Sequence, residues 1–102
     1  MPVNSKGANA RKPTAMSTAI AAQIRAERSA RNIAKDDMIA RTGIGRSTYF
    51  DIERGDKPID VSQLFLVVQV LGMSIGDFMA RADARRLESE RGENPGRAAG
   101  QA

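Results

Sequence analysis

The sequence predicts an all-α fold, in which five short helices form one compact domain between a flexible arm and a disordered tail. Apolar residues in the middle of the chain recur at spacings of three and four, the period of a helix with one buried face. Glycine closes three of the predicted helices, as left-handed residues commonly do. No segment alternates polar and apolar residues as a half-buried strand does. We therefore expect an arm at residues 1–16, the helical domain at 17–80, and the end of the fifth helix with the tail at 81–102.

The five predicted helices follow one another with short turns between them. The first contains Ile20 and Ile24, four residues apart on one face, and the fourth follows Asp60, a residue type common at helix N-caps. The predicted bounds are about 17–31, about 35–42, about 46–54, the segment after Asp60 up to Gly72, and the segment after Ser74 to a point past Leu87.

The fourth segment, "VSQLFLVVQVL", is nearly all apolar, so periodicity does not separate a buried helix from a buried strand. Its length, the cap at Asp60 and the closing Gly72 favour a helix in the middle of a small core. A strand here would also have no partner strand. We therefore expect a helix.

The composition excludes several classes of function. The 102 residues include no Cys and no His, which excludes disulfides, zinc fingers and catalysis by either side chain. No apolar run is long enough to span a membrane, and the N-terminus lacks a secretory apolar region. We expect a cytoplasmic protein that has no cofactor, small-molecule ligand or membrane partner and is not an enzyme.

The formal net charge of +4 is unevenly distributed. The arm holds Lys6, Arg11 and Lys12 and no acidic residue, whereas acidic and basic residues balance over 17–80. Two interpretations of the arm stay open: it contacts DNA through phosphates or a narrow minor groove, or it is a disordered leader. A basic chain suits nucleic acid or an acidic partner, and charge alone selects neither.

The stretch "TGIGRST" at residues 42–48 is similar to part of a phosphate-binding P-loop. That motif needs a glycine and a lysine at positions that hold Ala40 and Arg46, and it should follow a buried strand rather than the charged "AKDDMIAR". The nucleotide-binding interpretation therefore fails. Two short helices joined by a three-residue turn with glycine predict a helix-turn-helix instead.

The third helix then has two different faces. On the inner face, Tyr49 and Ile52 are expected to pack with Ile44 on Met38 and Ile39 of the second helix. The outer face carries Arg46, Ser47, Phe50, Asp51 and Arg54. A helix in the major groove uses these chemistries: arginine to guanine, hydroxyl to base or phosphate, carboxylate to cytosine, and a ring to the thymine methyl group. The alternative is that the ring completes the core and the polar residues are only solvated.

Residues 20–79 resemble the Cro/phage-repressor (XRE) helix-turn-helix family. The most specific part is "GIGRSTYFDIERG", where that family has glycine, an aliphatic residue, a small N-cap, a polar pair and then Ile-Glu-x-Gly. "PIDVSQLFLVVQVLGMSIGDF" resembles the family's fourth helix and the start of its fifth. The resemblance implies a lambda-repressor-like domain whose recognition helix is about residues 46–54. It also implies an ion pair between Arg28 and Glu53 that clamps the first helix to the third.

The resemblance further implies which residues contact DNA. The base-reading positions hold Arg46, Ser47, Phe50 and Asp51, and the positions near the DNA backbone hold Lys35, Gly45, Thr48, Arg54 and Lys57. The sequence departs from the family pattern at three points: Gly45 replaces the usual Ser or Thr cap, Ile39 and Thr42 replace Ala and Leu, and Phe50 and Asp51 are unusual base readers.

The function that the resemblance implies is a small, stand-alone repressor, most like a phage immunity repressor or Cro, on a double-stranded DNA operator. The alternative is the antitoxin of a toxin–antitoxin pair, which uses the same domain and a tail that folds on the toxin. The scarcity of apolar residues after Leu87 weakens this alternative. The family's paired half-sites imply a homodimer through Ile75, Phe78, Met79 and Leu87 of the fifth helix, although the first three could instead close the core of the monomer.

Overall fold

The computed structural model describes residues 12–92, which form five α-helices with no strand among them. The all-α, five-helix prediction is thus confirmed. The helices are α1 (Ala15–Ala30), α2 (Lys35–Thr42), α3 (Arg46–Arg54), α4 (Val61–Leu71) and α5 (Ile75–Gly92). Of the three basic residues predicted in the arm, Lys12 is exposed, while Lys6 and Arg11 lie outside the described residues, as does the predicted tail at 93–102.

The first helix starts two residues earlier than the sequence predicts, because Thr14 and Ser17 form a capping box. The Thr14 hydroxyl accepts a hydrogen bond from the Ser17 backbone N–H at 3.1 Å, and the Ser17 hydroxyl accepts from the Thr14 backbone N–H at 2.7 Å. These bonds satisfy two donors that would otherwise be unpaired at the helix start. Residues 15 and 16 therefore belong to α1 and not to the arm.

The nearly all-apolar fourth segment is a helix, as predicted, but only one of its faces is buried in the core. The Asp60 carboxylate accepts from the Gln63 backbone N–H at 2.7 Å, and the Gln63 side chain accepts from the Asp60 N–H at 3.0 Å, which fixes the start of α4. Its buried residues are Leu64, Val67, Val68 and Leu71. The helix is apolar on its outer side as well, where Val61 and Phe65 are 76 % and 52 % exposed.

The core is formed by one side of each of the five helices. The core includes Ile24 of α1, Met38 of α2, and Tyr49 and Ile52 of α3, each of them at most 1 % exposed. Phe78 is completely buried among them, because the first turn of α5 packs on the core. The predicted place of Phe78 in a dimer contact is therefore wrong, and its ring closes the monomer.

A buried carboxylate joins α1 to α5. Glu27 is 5 % exposed and accepts hydrogen bonds from the side chains of Gln23, Arg31 and Arg81, each at 2.7 Å. Arg31 also donates to the Leu71 carbonyl at 2.7 Å, which adds the end of α4 to the network. Burial alone would raise the pKa of Glu27, but hydrogen bonds from Arg81, Arg31 and Gln23 outweigh it and lower the pKa to about 2.

No single helix within residues 12–92 is long and apolar enough to cross a membrane. Only α4 and α5 taken together meet that criterion, and a bend of 103° separates them. The same part of the chain holds no group of acidic side chains arranged to bind a metal ion.

The Glu27 network should make the free energy of unfolding depend on acid. The folded-state pKa of about 2 lies below the ordinary value of 4.5, so the contribution is complete above pH 4.5 and is lost as the pH falls towards 2. We expect the free energy of unfolding to fall by about 1–3 kcal/mol, because Arg31 and Arg81 are partly exposed and water screens their attraction to Glu27. Urea denaturation of the wild type and Glu27→Gln across this range measures it, with the exposed Glu88→Gln as control. Equal acid sensitivity of wild type and Glu27→Gln would contradict the assignment.

Candidate nucleic-acid interface

The two helices of the predicted helix-turn-helix, α2 and α3, are joined by residues 43–45. Gly43 ends α2 with a φ of 77°, in the left-handed region that favours glycine. The Thr42 hydroxyl donates to the Met38 carbonyl at 2.7 Å and accepts from the Ile44 N–H at 3.2 Å. The hydroxyl of Thr42, at a position where the family pattern has an apolar residue, thus stabilises the turn through two hydrogen bonds. Gly45 caps α3 without a side-chain hydrogen bond, and it is exposed.

The inner face of α3 packs as the periodicity predicts. Tyr49 and Ile52 are buried together with Met38 and Ile44, and Ile39 is partly buried against the same cluster. Because this face is fixed in the core, the opposite face must point away from the protein.

The outer face of α3 presents the predicted contact residues to solvent. Arg46, Ser47 and Arg54 are exposed, while Thr48, Phe50 and Asp51 are half-buried. Two further cations, Lys35 at the start of α2 and Lys57 after α3, are exposed as well. The structure therefore brings the predicted base-reading residues onto one surface, with the predicted backbone-contacting residues Lys35, Gly45, Thr48, Arg54 and Lys57 on α2, on α3 or in the turns beside them.

Phe50 lies at the boundary between the core and this surface. Its ring packs partly against the buried cluster, yet two cations stand over it. The Lys35 ammonium lies 5.2 Å from the ring centroid and the Arg46 guanidinium carbon lies 5.7 Å from it, both within the range of a cation–π interaction. The ring thus contacts the core, as one interpretation expects, and it remains partly accessible, while its predicted contact with DNA stays a prediction.

The arginines on this surface are paired with acidic side chains. Arg54 donates to Asp51 at 2.5 Å and to Asp56 at 2.9 Å. Arg46 donates to Asp36, in the first turn of α2, at 2.8 Å. Exposed pairs of this kind contribute little to stability, so these arginines can leave their partners at little cost.

The Glu53 carboxylate fixes the position of α3 against α1. It is 1 % exposed and accepts from Arg28 Nε at 2.7 Å and Arg28 Nη2 at 3.1 Å. The Tyr49 hydroxyl donates to the same carboxylate at 2.6 Å, and the Lys35 ammonium lies 3.8 Å from it. Burial, together with the hydrogen bond to Glu53, raises the pKa of Tyr49, so its hydroxyl keeps its proton and remains a donor. Arg25 adds a hydrogen bond to the Glu53 backbone carbonyl.

Sequence reasoning did not find several features of this surface. Asp36 is the partner of Arg46, but the two lie ten positions apart in the sequence and only the fold of the turn brings them together. The contacts of Tyr49 and Lys35 with Glu53 likewise depend on how the helices pack. Tyr49 lies four residues before Glu53, which is one helical turn, so that spacing was the one available signal.

A family model described as helix-turn-helix matches residues 24–78, more than half of the chain. The chain therefore belongs to this helix-turn-helix family, of the XRE type, and is a DNA-binding regulator of transcription.

A solved structure with the same fold is that of the clp gene regulator ClgR from Corynebacterium glutamicum. The TM-score is 0.76 at 20 % sequence identity, over 86 % of this chain and 93 % of that chain. No curated protein matched the sequence.

Breaking the Arg28–Glu53 pair from either side should destabilise the domain. Glu53→Gln leaves Arg28 short of a charged partner, and we expect a loss on the order of 3 kcal/mol. Thermal melts of Glu53→Gln, Arg28→Met and the double variant measure this, with Asp56→Asn, in an exposed pair, as the matched control. The double variant should lose less than the sum of the two single variants. Additive losses would mean that the two side chains do not stabilise each other.

Proposed function

We propose that this protein is a sequence-specific repressor of transcription, of the phage immunity repressor or Cro-like kind, that binds a double-stranded DNA operator. The observation that carries the proposal is the outer face of α3. Guanidinium, hydroxyl, aromatic and carboxylate groups lie together there on a short helix whose other face is anchored in the core. These four chemistries can distinguish base pairs in the major groove.

In this proposal the surface divides into two sets of contacts. Arg46, Ser47, Phe50 and Asp51 contact base edges, and the flanking residues Lys35, Gly45, Thr48, Arg54 and Lys57 contact the DNA backbone. Phosphate contacts orient a protein on the duplex, whereas base contacts select the sequence. Repression then follows from occupancy: a protein bound across a promoter excludes polymerase without a catalytic step or a cofactor. We place this activity in the cytoplasm, where the DNA is.

The antitoxin alternative requires a segment after the domain that is free to fold on a toxin. The described part of that segment, residues 81–92, is instead the last two thirds of α5. Its first part is attached to α1 by hydrogen bonds from Arg81 to Glu27 at 2.7 Å and from Arg85 to Gln23 at 2.5 Å. This attachment favours the repressor over the antitoxin.

Arg46→Ala should weaken binding to the operator and relax one base position. Losing a bidentate contact to guanine costs about 1–3 kcal/mol on the correct site and much less on other DNA. The operator is first obtained by footprinting the DNA beside the protein's own gene, and binding is then titrated on this duplex and on a scrambled one. Arg91→Ala removes the same charge from an exposed position at the far end of α5 and serves as control. Equal losses on both duplexes would show that Arg46 contacts only phosphate.

We also infer that the protein binds DNA as a homodimer through α5. With Phe78 in the core, the predicted contact reduces to Ile75 and Leu87, which are 38 % and 44 % exposed, and the half-buried Met79. A two-fold dimer would present two recognition helices to paired half-sites.

The footprint tests the dimer directly. We expect two protected half-sites centred about 10 base pairs apart, or a multiple of one helical turn. Ile75→Glu should weaken protection of both half-sites together, because the charge would be buried in the contact. Ser89→Glu places the same charge at an exposed position on the opposite side of α5 from Leu87 and should have a smaller effect. A single protected half-site, with a monomer in sedimentation, would contradict the dimer.

A further inference from the structure

Asp36 and Arg46 form an ion pair between the two helices of the helix-turn-helix. Asp36 lies in the first turn of α2, Arg46 is the first residue of α3, and 2.8 Å separates Asp36 Oδ1 from Arg46 Nη1. Their side chains are 72 % and 59 % exposed. Exposed pairs add little to the free energy of unfolding. An acidic residue in the first turn of a helix is favourable in itself, but Asp37 in the same turn shares that effect, and only Asp36 pairs with Arg46.

Arg46 is held from two sides by this arrangement. On one side, Asp36 of α2 accepts a hydrogen bond from a guanidinium nitrogen of Arg46. On the other side, the centroid of the Phe50 ring, which also belongs to α3, lies 5.7 Å from the guanidinium carbon. A guanidinium carries five N–H donors, and the bond to Asp36 uses only one of them. Donors thus remain for a base, and a side chain fixed before binding loses less rotamer entropy when it binds.

The same carboxylate opposes DNA that gives Arg46 no partner. Asp36 is negative and lies next to a residue proposed to contact base edges, so it approaches the phosphates of any duplex that the protein binds. Like charges brought together cost free energy unless another contact compensates. Such a group weakens binding to incorrect sequences more than to the correct one, which is a common source of specificity.

We propose that Asp36 is a positioning residue for operator recognition: it orients Arg46 for one base and penalises duplexes where that base is absent. This inference rests on the proposed function, in which Arg46 contacts a base. Asp37 provides a matched control, since it lies in the same turn of α2 and carries the same charge, while Arg46 pairs with Asp36.

The test compares Asp36→Asn and Asp37→Asn in the full chain. The probes are a duplex selected from a random pool by the wild-type protein and a scrambled duplex of the same composition. Asp36→Asn should bind the scrambled duplex more tightly and reduce the ratio of the two affinities by about five- to tenfold. Asp37→Asn should keep the ratio within about twofold of the wild type, because its charge change does not release Arg46.

Two further measurements separate positioning from a structural role. Selection repeated with Asp36→Asn should lose base preference at the same position that Arg46→Ala loses, and thermal melts of the two Asn variants should coincide. In an Arg46→Ala background, Asp36→Asn should leave the affinity ratio unchanged.

Equal ratios for the two Asn variants would overturn the role of Asp36 while leaving the proposed function intact. A lower melting temperature for Asp36→Asn alone, with the base preference unchanged, would assign it to the fold and overturn the proposal. A wild-type protein that selects no sequence at all would overturn the proposed function, and this inference with it.

Discussion

The orientation of α3 depends on the buried carboxylate of Glu53. A charge removed from water must be neutralised by close donors, and here they come from α1 through Arg28, from α3 itself through Tyr49 and from the start of α2 through Lys35. Helices of eight and nine residues, such as α2 and α3, are not stable alone in water. The direction in which α3 presents its outer face is therefore a property of this cluster and of the core beneath it.

The surface around α3 is close to electrical balance. Arg46 pairs with Asp36, and Arg54 pairs with Asp51 and Asp56, so each of these cations carries its own counter-charge. The affinity of a protein for DNA of any sequence grows with the number of phosphates that its cations neutralise. A surface with few uncompensated cations should bind DNA of arbitrary sequence weakly, so in the proposed function the choice of sequence falls to the residues that contact base edges.

Local signals in the sequence were sufficient for most of the fold. Glycines at 43, 55 and 72 mark the C-terminal ends of α2, α3 and α4, and Asp60 marks the start of α4, as the structure shows. The start of α1 was not predicted from the sequence because a capping box usually pairs Ser or Thr with Glu or Gln, and here Thr14 pairs with Ser17. The burial of Phe78 was left open, since spacing along α5 does not reveal what covers it. The partners of Arg46 and Glu53 depend on packing between helices, which no local pattern encodes.

Phe50 has a consequence for how the specificity of such a protein can evolve. Arg46 and Ser47, which we propose contact base edges, are exposed and lie outside the core, so mutation can replace them while the domain remains folded. Phe50 touches the buried cluster and also supports the Lys35 and Arg46 cations, so its replacement changes stability and recognition together. If the proposed contacts hold, lineages descended from this protein would change their DNA sequence preference around a retained aromatic residue, with the freest variation at the first two residues of α3.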